Sequence, residues 1–122
     1  MENMRKVLCL LVMFGIFNLA ACTAGKGTEE VLWGPSESKG RMSNDEGVGH
    51  FKQGHWDVAE KYFREAIAAD PNLAEAHFNL GVTLDKQNRH EEATGSFQKA
   101  AELAPANPKI KDAEILKKHL AM

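Results

Sequence analysis

Cysteine and histidine are among the side chains of this sequence that could act as nucleophiles or bind a metal ion. The five histidines are scattered along the chain: His50, His55, His77, His90 and His119. The stretch His90-Glu91-Glu92 lacks the second histidine, four residues after the first, that zinc proteases require. No glycine-rich phosphate loop and no nucleophile elbow occurs either. We therefore predict no catalytic residues, no metal site and no enzymatic activity, and we interpret the histidines as fillers at the edge of the core.

Cys22 has a more informative setting than the histidines. The charged residues Arg5 and Lys6 are followed by an uncharged apolar run from residue 7 to residue 17. A helix that spans a bilayer needs ~20 apolar residues, so this run is too short for a permanent span and is typical of an export signal. The run leads into Leu19-Ala20-Ala21-Cys22, where small residues directly precede a cysteine.

This ending resembles the lipobox of bacterial lipoproteins, in which a diacylglycerol is attached to the cysteine sulfur and the peptide is cut just before it. The resemblance implies a signal peptide over residues 1–21 and a mature chain that begins with lipid-modified Cys22 and is anchored to a membrane. An ordinary secretory signal followed by an incidental cysteine is the alternative. Thr23, where Asp would favour the inner membrane, implies the outer membrane facing the periplasm if the host has two membranes.

Cleavage at this position would also remove Cys9, and the lipid would cap Cys22. The mature chain would then have no free thiol for a disulfide, a zinc-thiolate cluster or a c-type haem. We expect no cofactor apart from the covalent lipid on Cys22.

The composition fits one small domain. The chain has 122 residues, of which 26% are charged and 43% hydrophobic, and its formal net charge is −2. Acidic and basic residues are interspersed without a block of lysines and arginines, so we predict no nucleic-acid partner.

Residues 22–39 are rich in glycine, serine, threonine and charge and lack helical periodicity, which predicts a lipid-anchored flexible tether. The exception is Val31-Leu32-Trp33. We expect Trp33 to fold back onto the open end of the domain; the alternative is that these are three apolar residues in a loop.

The rest of the sequence repeats itself every 34 residues. The matching pairs are Gly47 and Gly81, Gln53 and Gln87, Ala59 and Ala93, Phe63 and Phe97, Ala66 and Ala100, and Pro71 and Pro105. This period and pattern resemble the tetratricopeptide repeat. The resemblance implies an all-α fold with two helix hairpins, at residues 40–73 and 74–107. A C-terminal capping helix at 108–122 would complete a short α-solenoid.

The apolar spacing predicts helices near 43–53, 56–69, 73–87, 90–103 and 108–120. Gly54 and Asn88 tolerate a left-handed backbone and should end helices at low cost. Asn107 before Pro108 should cap the last helix. Small residues such as Gly81 should let paired helices cross closely, with Phe63 and Phe97 filling the seams.

Two capping boxes are also predicted, Ser43 with Glu46 and Asn72 with Glu75. The first copy departs from the repeat pattern, because Gly47 and Gly49 weaken its first helix by ~1 kcal/mol each. We expect that helix to be short, loosely held and to begin only at Ser43. Two repeats are fewer than the ~3 usually needed for a stable solenoid, so help from the tether, a partner or a second copy is expected.

Tetratricopeptide repeats bind peptides or protein surfaces in a concave groove lined by the first helix of each hairpin. Position by position, the resemblance implies a partner-binding groove formed by Arg41, Asn44, Val48, Phe51, Glu75, Phe78, Asn79, Val82 and Asp85. The apolar spacing of the second copy predicts a packing face formed by Leu73, Ala76, His77, Leu80 and Leu84. Val48, Phe78 and Val82 lie off this type of face, so we expect them to be exposed in an open groove. The alternative is a groove closed by the tether or by a second protomer.

Two classes of function follow. The first is a membrane-anchored protein-protein interaction adaptor, or an assembly factor for a complex of the bacterial cell envelope. Its protein or peptide partner is not identified by any residue. The alternative is a structural subunit that forms a homo-oligomer and uses the groove for contacts between copies.

Overall fold

The computed structural model describes residues 30–121, and all regular structure there is helical. The helices are α1 (Arg41–Lys52), α2 (Trp56–Ala69), α3 (Ala74–Lys86), α4 (His90–Leu103), α5 (Pro108–Lys111) and α6 (Glu114–Leu120). The predicted signal peptide, the lipid site at Cys22 and the first part of the predicted tether lie outside the described residues. Across residues 30–121, each helix is too short or too polar to cross a bilayer.

The two hairpins turn where the sequence predicts. Gly54 and Asn88 have φ values of +79° and +62°, the left-handed conformation that a helix end requires. Asn107 caps α5 as expected: its side chain accepts a hydrogen bond from the Lys109 backbone N–H at 3.0 Å, and Pro108 occupies the first helical position.

The two predicted capping boxes do not form. α1 begins at Arg41, because the Gly40 carbonyl already accepts the Asn44 backbone N–H at 2.9 Å, so Ser43 lies inside the helix. At α3 the N-cap is Leu73, without a side-chain hydrogen bond; the Asn72 backbone N–H donates instead to Asp70 Oδ1. The expectation of a short first helix was wrong, since α1 has 12 residues and four of them are buried.

Each hairpin is closed by one glycine that faces one phenylalanine. A Cβ atom added to Gly47 would lie 2.6 Å from the Phe63 ring, and one added to Gly81 would lie 2.8 Å from the Phe97 ring. Both rings are fully buried. The two pairs are 34 residues apart, so the same packing solution occurs twice, as the repeat alignment predicts.

α3 occupies the centre of the stack. It packs between α2 and α4 and also contacts α1. Its residues are buried at nearly every position from Ala74 to Leu84. A helix enclosed on several sides has no open face, and this differs from the single packing face that its apolar spacing suggested.

The predicted last helix is divided in two. Its first part, α5, ends at Lys111, Ala113 has extended backbone angles, and α6 begins at Glu114. A single helix would place Ile110, Ala113, Leu116 and Leu120 on one apolar side, but the break rotates the second part. Ile110 and Leu116 are buried, and His119 is buried in place of Leu120. α6 packs on α4 and covers that end of the stack.

Replacing Phe97 by alanine should lower the free energy of unfolding by about 3 kcal/mol or more, because a fully buried ring leaves a cavity against Gly81. Denaturant unfolding followed by circular dichroism measures this. Val58→Ala, at an exposed position of α2, is the control and should change stability by less than about 0.5 kcal/mol. Equally small changes in the free energy of unfolding for both variants would contradict the packing of Phe97 against Gly81.

Candidate functional site

The first helices of the two hairpins, α1 and α3, hold a non-helical piece of the chain between them. Val31 and Leu32 are buried in the core together with Val48 and Phe51 of α1 and Val82 of α3. These two residues belong to what we call the N-terminal segment, residues 30–39. The concave face is therefore filled by the chain itself, which was the alternative that the sequence left open.

Two buried asparagines fix the backbone of Leu32. Asn79 Oδ1 accepts the Leu32 backbone N–H at 2.6 Å, and Asn79 Nδ2 donates to the Leu32 carbonyl at 2.7 Å. Asn44 Nδ2 donates to the same carbonyl at 2.9 Å. The two side chains also bond to each other, from Asn79 Nδ2 to Asn44 Oδ1 at 2.8 Å. This asparagine pair recognises a peptide backbone rather than a particular side chain.

Further contacts tie down the rest of the N-terminal segment. The Gly34 backbone N–H donates to Asp45 Oδ1 at 2.9 Å, and Asp45 also pairs with Arg41. Ser38 Oγ donates to Asp70 Oδ2 at 2.7 Å. The end of the predicted tether is thus attached to the domain: these contacts hold it to the first hairpin, and Leu32 holds it to Asn79 of the second.

Trp33 does not anchor this segment in the expected way. The segment folds back, but it does so through Val31 and Leu32, whereas Trp33 remains 56% exposed. The Lys52 ammonium lies 4.6 Å from the centre of the indole ring, a cation-π contact at the rim.

The predicted groove residues do not form one open surface. Asn44, Val48, Phe51, Asn79 and Val82 are buried. Arg41 is exposed at the rim beside Asp45, and Glu75 accepts a long hydrogen bond of 3.4 Å from Asn107 Nδ2. The expected exposure of Val48 and Val82 was wrong, since both are fully covered.

Phe78 requires a separate correction. It was expected to be exposed, but it is only 2% exposed, and its ring meets the Phe97 ring edge-on with the ring centres 5.6 Å apart. Phe78 belongs to the core because α4 covers this side of α3. A glutamate at this position would bury a carboxylate and unfold the domain, so Phe78→Glu cannot test partner binding.

Comparison with known proteins identifies the repeat. Residues 44–108, more than half of the chain, match the family model described as Tetratricopeptide repeat. The chain belongs to the tetratricopeptide repeat family. Over 56 residues it is 38% identical to Protein O-mannosyl-transferase Tmtc2 of Drosophila melanogaster, a match that covers 45% of this chain and 6% of that relative. The chain thus spans only a small fraction of that relative's length.

Membership in this family explains the geometry of the concave face. Tetratricopeptide repeats are non-catalytic scaffolds for protein-protein interaction, and here the first helices of two such repeats face an extended segment. Sequence reasoning placed Asn44 and Asn79 on this face but did not identify Leu32 as the residue they hold. The apolar composition of Val31-Leu32-Trp33 was the one available signal.

A charged network joins the hairpins on another surface. Arg89, at the start of α4, pairs with Glu60 of α2 at 2.8 Å and with Glu92 at 2.6 Å, and Arg64 pairs with Glu60 at 2.7 Å. Burial would raise the pKa of Glu60, but the hydrogen bonds from Arg64 and Arg89 outweigh it and lower the pKa. Since these arginines are paired with carboxylates, they do not form a basic patch for an anionic partner.

A second polar cluster lies where α6 meets the stack. Asp85, assigned to the groove from the sequence, instead contacts His90 and His119. Burial would raise the pKa of Asp85, but hydrogen bonds with the two histidines outweigh it and the pKa is lowered. His119 lies at the edge of the core, as the sequence analysis predicted, and it also belongs to this cluster of Asp85, His90 and His119.

Removing the Asn79 amide should release Leu32. The Leu32 backbone N–H is buried and bonded to Asn79 Oδ1, so it should be protected from hydrogen exchange in the native chain. In Asn79→Ala its exchange should accelerate roughly tenfold to a hundredfold, as expected for the loss of a buried hydrogen bond. Exchange measured by NMR tests this, with Asn72→Ala, at an exposed position, as the control. An unprotected Leu32 amide in the native chain would refute docking.

Proposed function

We propose that this chain is a protein-protein interaction module, anchored by a lipid on Cys22 and acting as an adaptor or assembly factor in the bacterial cell envelope. Membership in a family of interaction scaffolds supports the first part. The lipobox-like sequence before Cys22 supports the second. We also propose that the chain has no catalytic activity of its own.

The contact between the asparagine pair and Leu32 is the observation on which the mode of binding rests. Both amides bond to the backbone of an extended residue, while Val48, Phe51 and Val82 belong to the apolar core around it. A ligand of this face is therefore an extended segment with two adjacent apolar residues, held mainly through its main chain. The N-terminal segment has these properties and serves as the internal ligand of the free chain.

Binding of a partner on this face requires exchange with the internal segment. A segment joined to its site by a short connection acts at an effective concentration on the order of millimolar, so a weak external peptide is excluded. A partner binds when it offers more contacts than Val31 and Leu32 do, or when another part of the complex holds it close to this face. The docked segment thereby sets a threshold that favours specific partners.

Self-association is the second candidate function. The concave face accepts residues 31–32 of its own chain, so the same residues from a second copy would satisfy the same hydrogen bonds. Exchange of an identical segment is a low-cost route to a dimer. Sedimentation of the purified protein distinguishes the two candidates. A dimer that resists dilution and is lost in Leu32→Asp favours the structural subunit, and a monomer favours the adaptor.

A fluorescent peptide of residues 29–36, EEVLWGPS, should bind poorly to the native chain and better to Leu32→Asp, whose internal segment no longer docks. Adding Asn79→Ala to Leu32→Asp should remove the gain, since the amide that holds the ligand backbone is then absent. Fluorescence anisotropy measures both affinities. A peptide with aspartate in place of its leucine is the matched control. Equal binding with and without the Asn79 amide would contradict the proposed mode.

Cys22→Ser should abolish labelling with radioactive palmitate and leave the precursor uncleaved, because the sulfur that carries the lipid is missing. Cys9→Ser is the matched control and should be labelled and processed normally, since Cys9 lies within the removed segment. Fractionation of a host with two membranes should place the native chain in the outer membrane. Palmitate labelling that persists in Cys22→Ser would refute the anchor.

A further inference from the structure

Three side chains from three helices converge at the C-terminal end of the stack. Asp85 lies near the end of α3, His90 is the first residue of α4, and His119 lies in α6. Asp85 Oδ1 is 2.7 Å from His90 Nδ1 and 2.9 Å from His119 Nε2. One ligand atom from each residue lies within 4.8 Å of the other two.

Thr94 holds the His119 ring in place. The Thr94 hydroxyl oxygen lies 2.9 Å from the His90 carbonyl oxygen and 2.9 Å from His119 Nδ1. When this hydroxyl donates to the carbonyl, it accepts from His119 Nδ1, and the lone pair of a neutral imidazole is then on Nε2, which faces Asp85 Oδ1. A metal ion bound by Nε2 and Oδ1 would satisfy both acceptors.

We propose that Asp85, His90 and His119 form a binding site for a divalent transition-metal ion of the zinc type. Two imidazole nitrogens and one carboxylate oxygen are a ligand set that zinc uses when its fourth position is open to water. Imidazole ligands favour zinc, copper, nickel and iron over calcium or magnesium. The His90 side chain is 57% exposed, so an ion can enter from solvent, while the His119 side chain is only 2% exposed.

The distances suit a tetrahedral ion after a small adjustment. Zinc bonds of about 2.0–2.1 Å at tetrahedral angles separate the ligand atoms by roughly 3.3 Å. The present contacts of 2.7 Å and 2.9 Å therefore have to open by about half an ångström, and the two histidine nitrogens, which lie within 4.8 Å of each other, have to reach the same separation. Thr94 supplies the outer contact that metal-binding histidines generally have, because it accepts from Nδ1 and leaves Nε2 free for the ion.

The position of the site suggests what the ion does. Asp85 and His90 flank the turn between α3 and α4, whereas His119 is in the helix that covers the end of the stack. An ion bound to all three would fasten α6 to the second hairpin. A stack of only two repeats gains most from such a link, since metal binding that requires the folded arrangement stabilises that arrangement.

Zinc chloride titrated into the purified full-length chain in detergent tests the proposal. Calorimetry should give one zinc ion per chain, and zinc should raise the midpoint of thermal unfolding. His90→Ala should weaken zinc binding by roughly tenfold or more while leaving the zinc-free midpoint nearly unchanged, because its side chain is mostly exposed. His55→Ala is the matched control: it breaks the other close histidine pair, His50 and His55, and should bind zinc normally.

A second variant separates the site from general effects on folding. Thr94→Val keeps the shape of the side chain and removes the acceptor for His119 Nδ1, so it should weaken zinc binding by about tenfold. Cobalt added in place of zinc should give the visible absorption of a tetrahedral ion in the native chain and lose it in His90→Ala. The proposal is overturned if the native chain binds no zinc, or if binding survives His90→Ala and is lost in His55→Ala.

Discussion

Asn79 is fully buried in the middle of α3, and its side-chain amide needs hydrogen-bond partners that the backbone of its own helix does not supply. It obtains them from Leu32 and from Asn44 of α1. The three residues satisfy one another only when the N-terminal segment, α1 and α3 are all in place. Because an unsatisfied buried amide costs about 1–3 kcal/mol, this network couples the docked segment to the packing of the two repeats.

The same network shows how two repeats suffice. A longer solenoid covers each hairpin with the next, but here the concave face and one end of the stack are covered by parts outside the repeats. The N-terminal segment fills the concave face with Val31 and Leu32, and α6 covers α4 with Leu116 and His119. The core therefore includes residues from nearly the whole described chain, although the repeats alone carry the family pattern.

The filling of the concave face by the chain itself has a consequence for binding. Tetratricopeptide repeats use the concave face for partners, but in this chain that face also contributes to stability. A partner that displaces Val31 and Leu32 must replace their buried contacts as well as form its own. In the proposed exchange the face would favour partners that offer more contacts than this segment does, while Trp33 at its rim stays exposed.

The sequence by itself determined the repeat. The glycine and phenylalanine pairs at a spacing of 34, the left-handed turns at Gly54 and Asn88 and the Asn107 cap all depend on residues close in sequence or on identical neighbours in each copy. Only the tertiary structure decided the burial of Phe78, the break before Glu114, the docking of Leu32 and the meeting of Asp85 with His119. Leu32 lies 47 residues from Asn79, and His119 lies 34 residues from Asp85. Neither pairing follows from the helical period or from the repeat alignment, since Leu32 and His119 lie outside the two repeats. Each is fixed by the polar groups that remain to be satisfied once the helices have stacked.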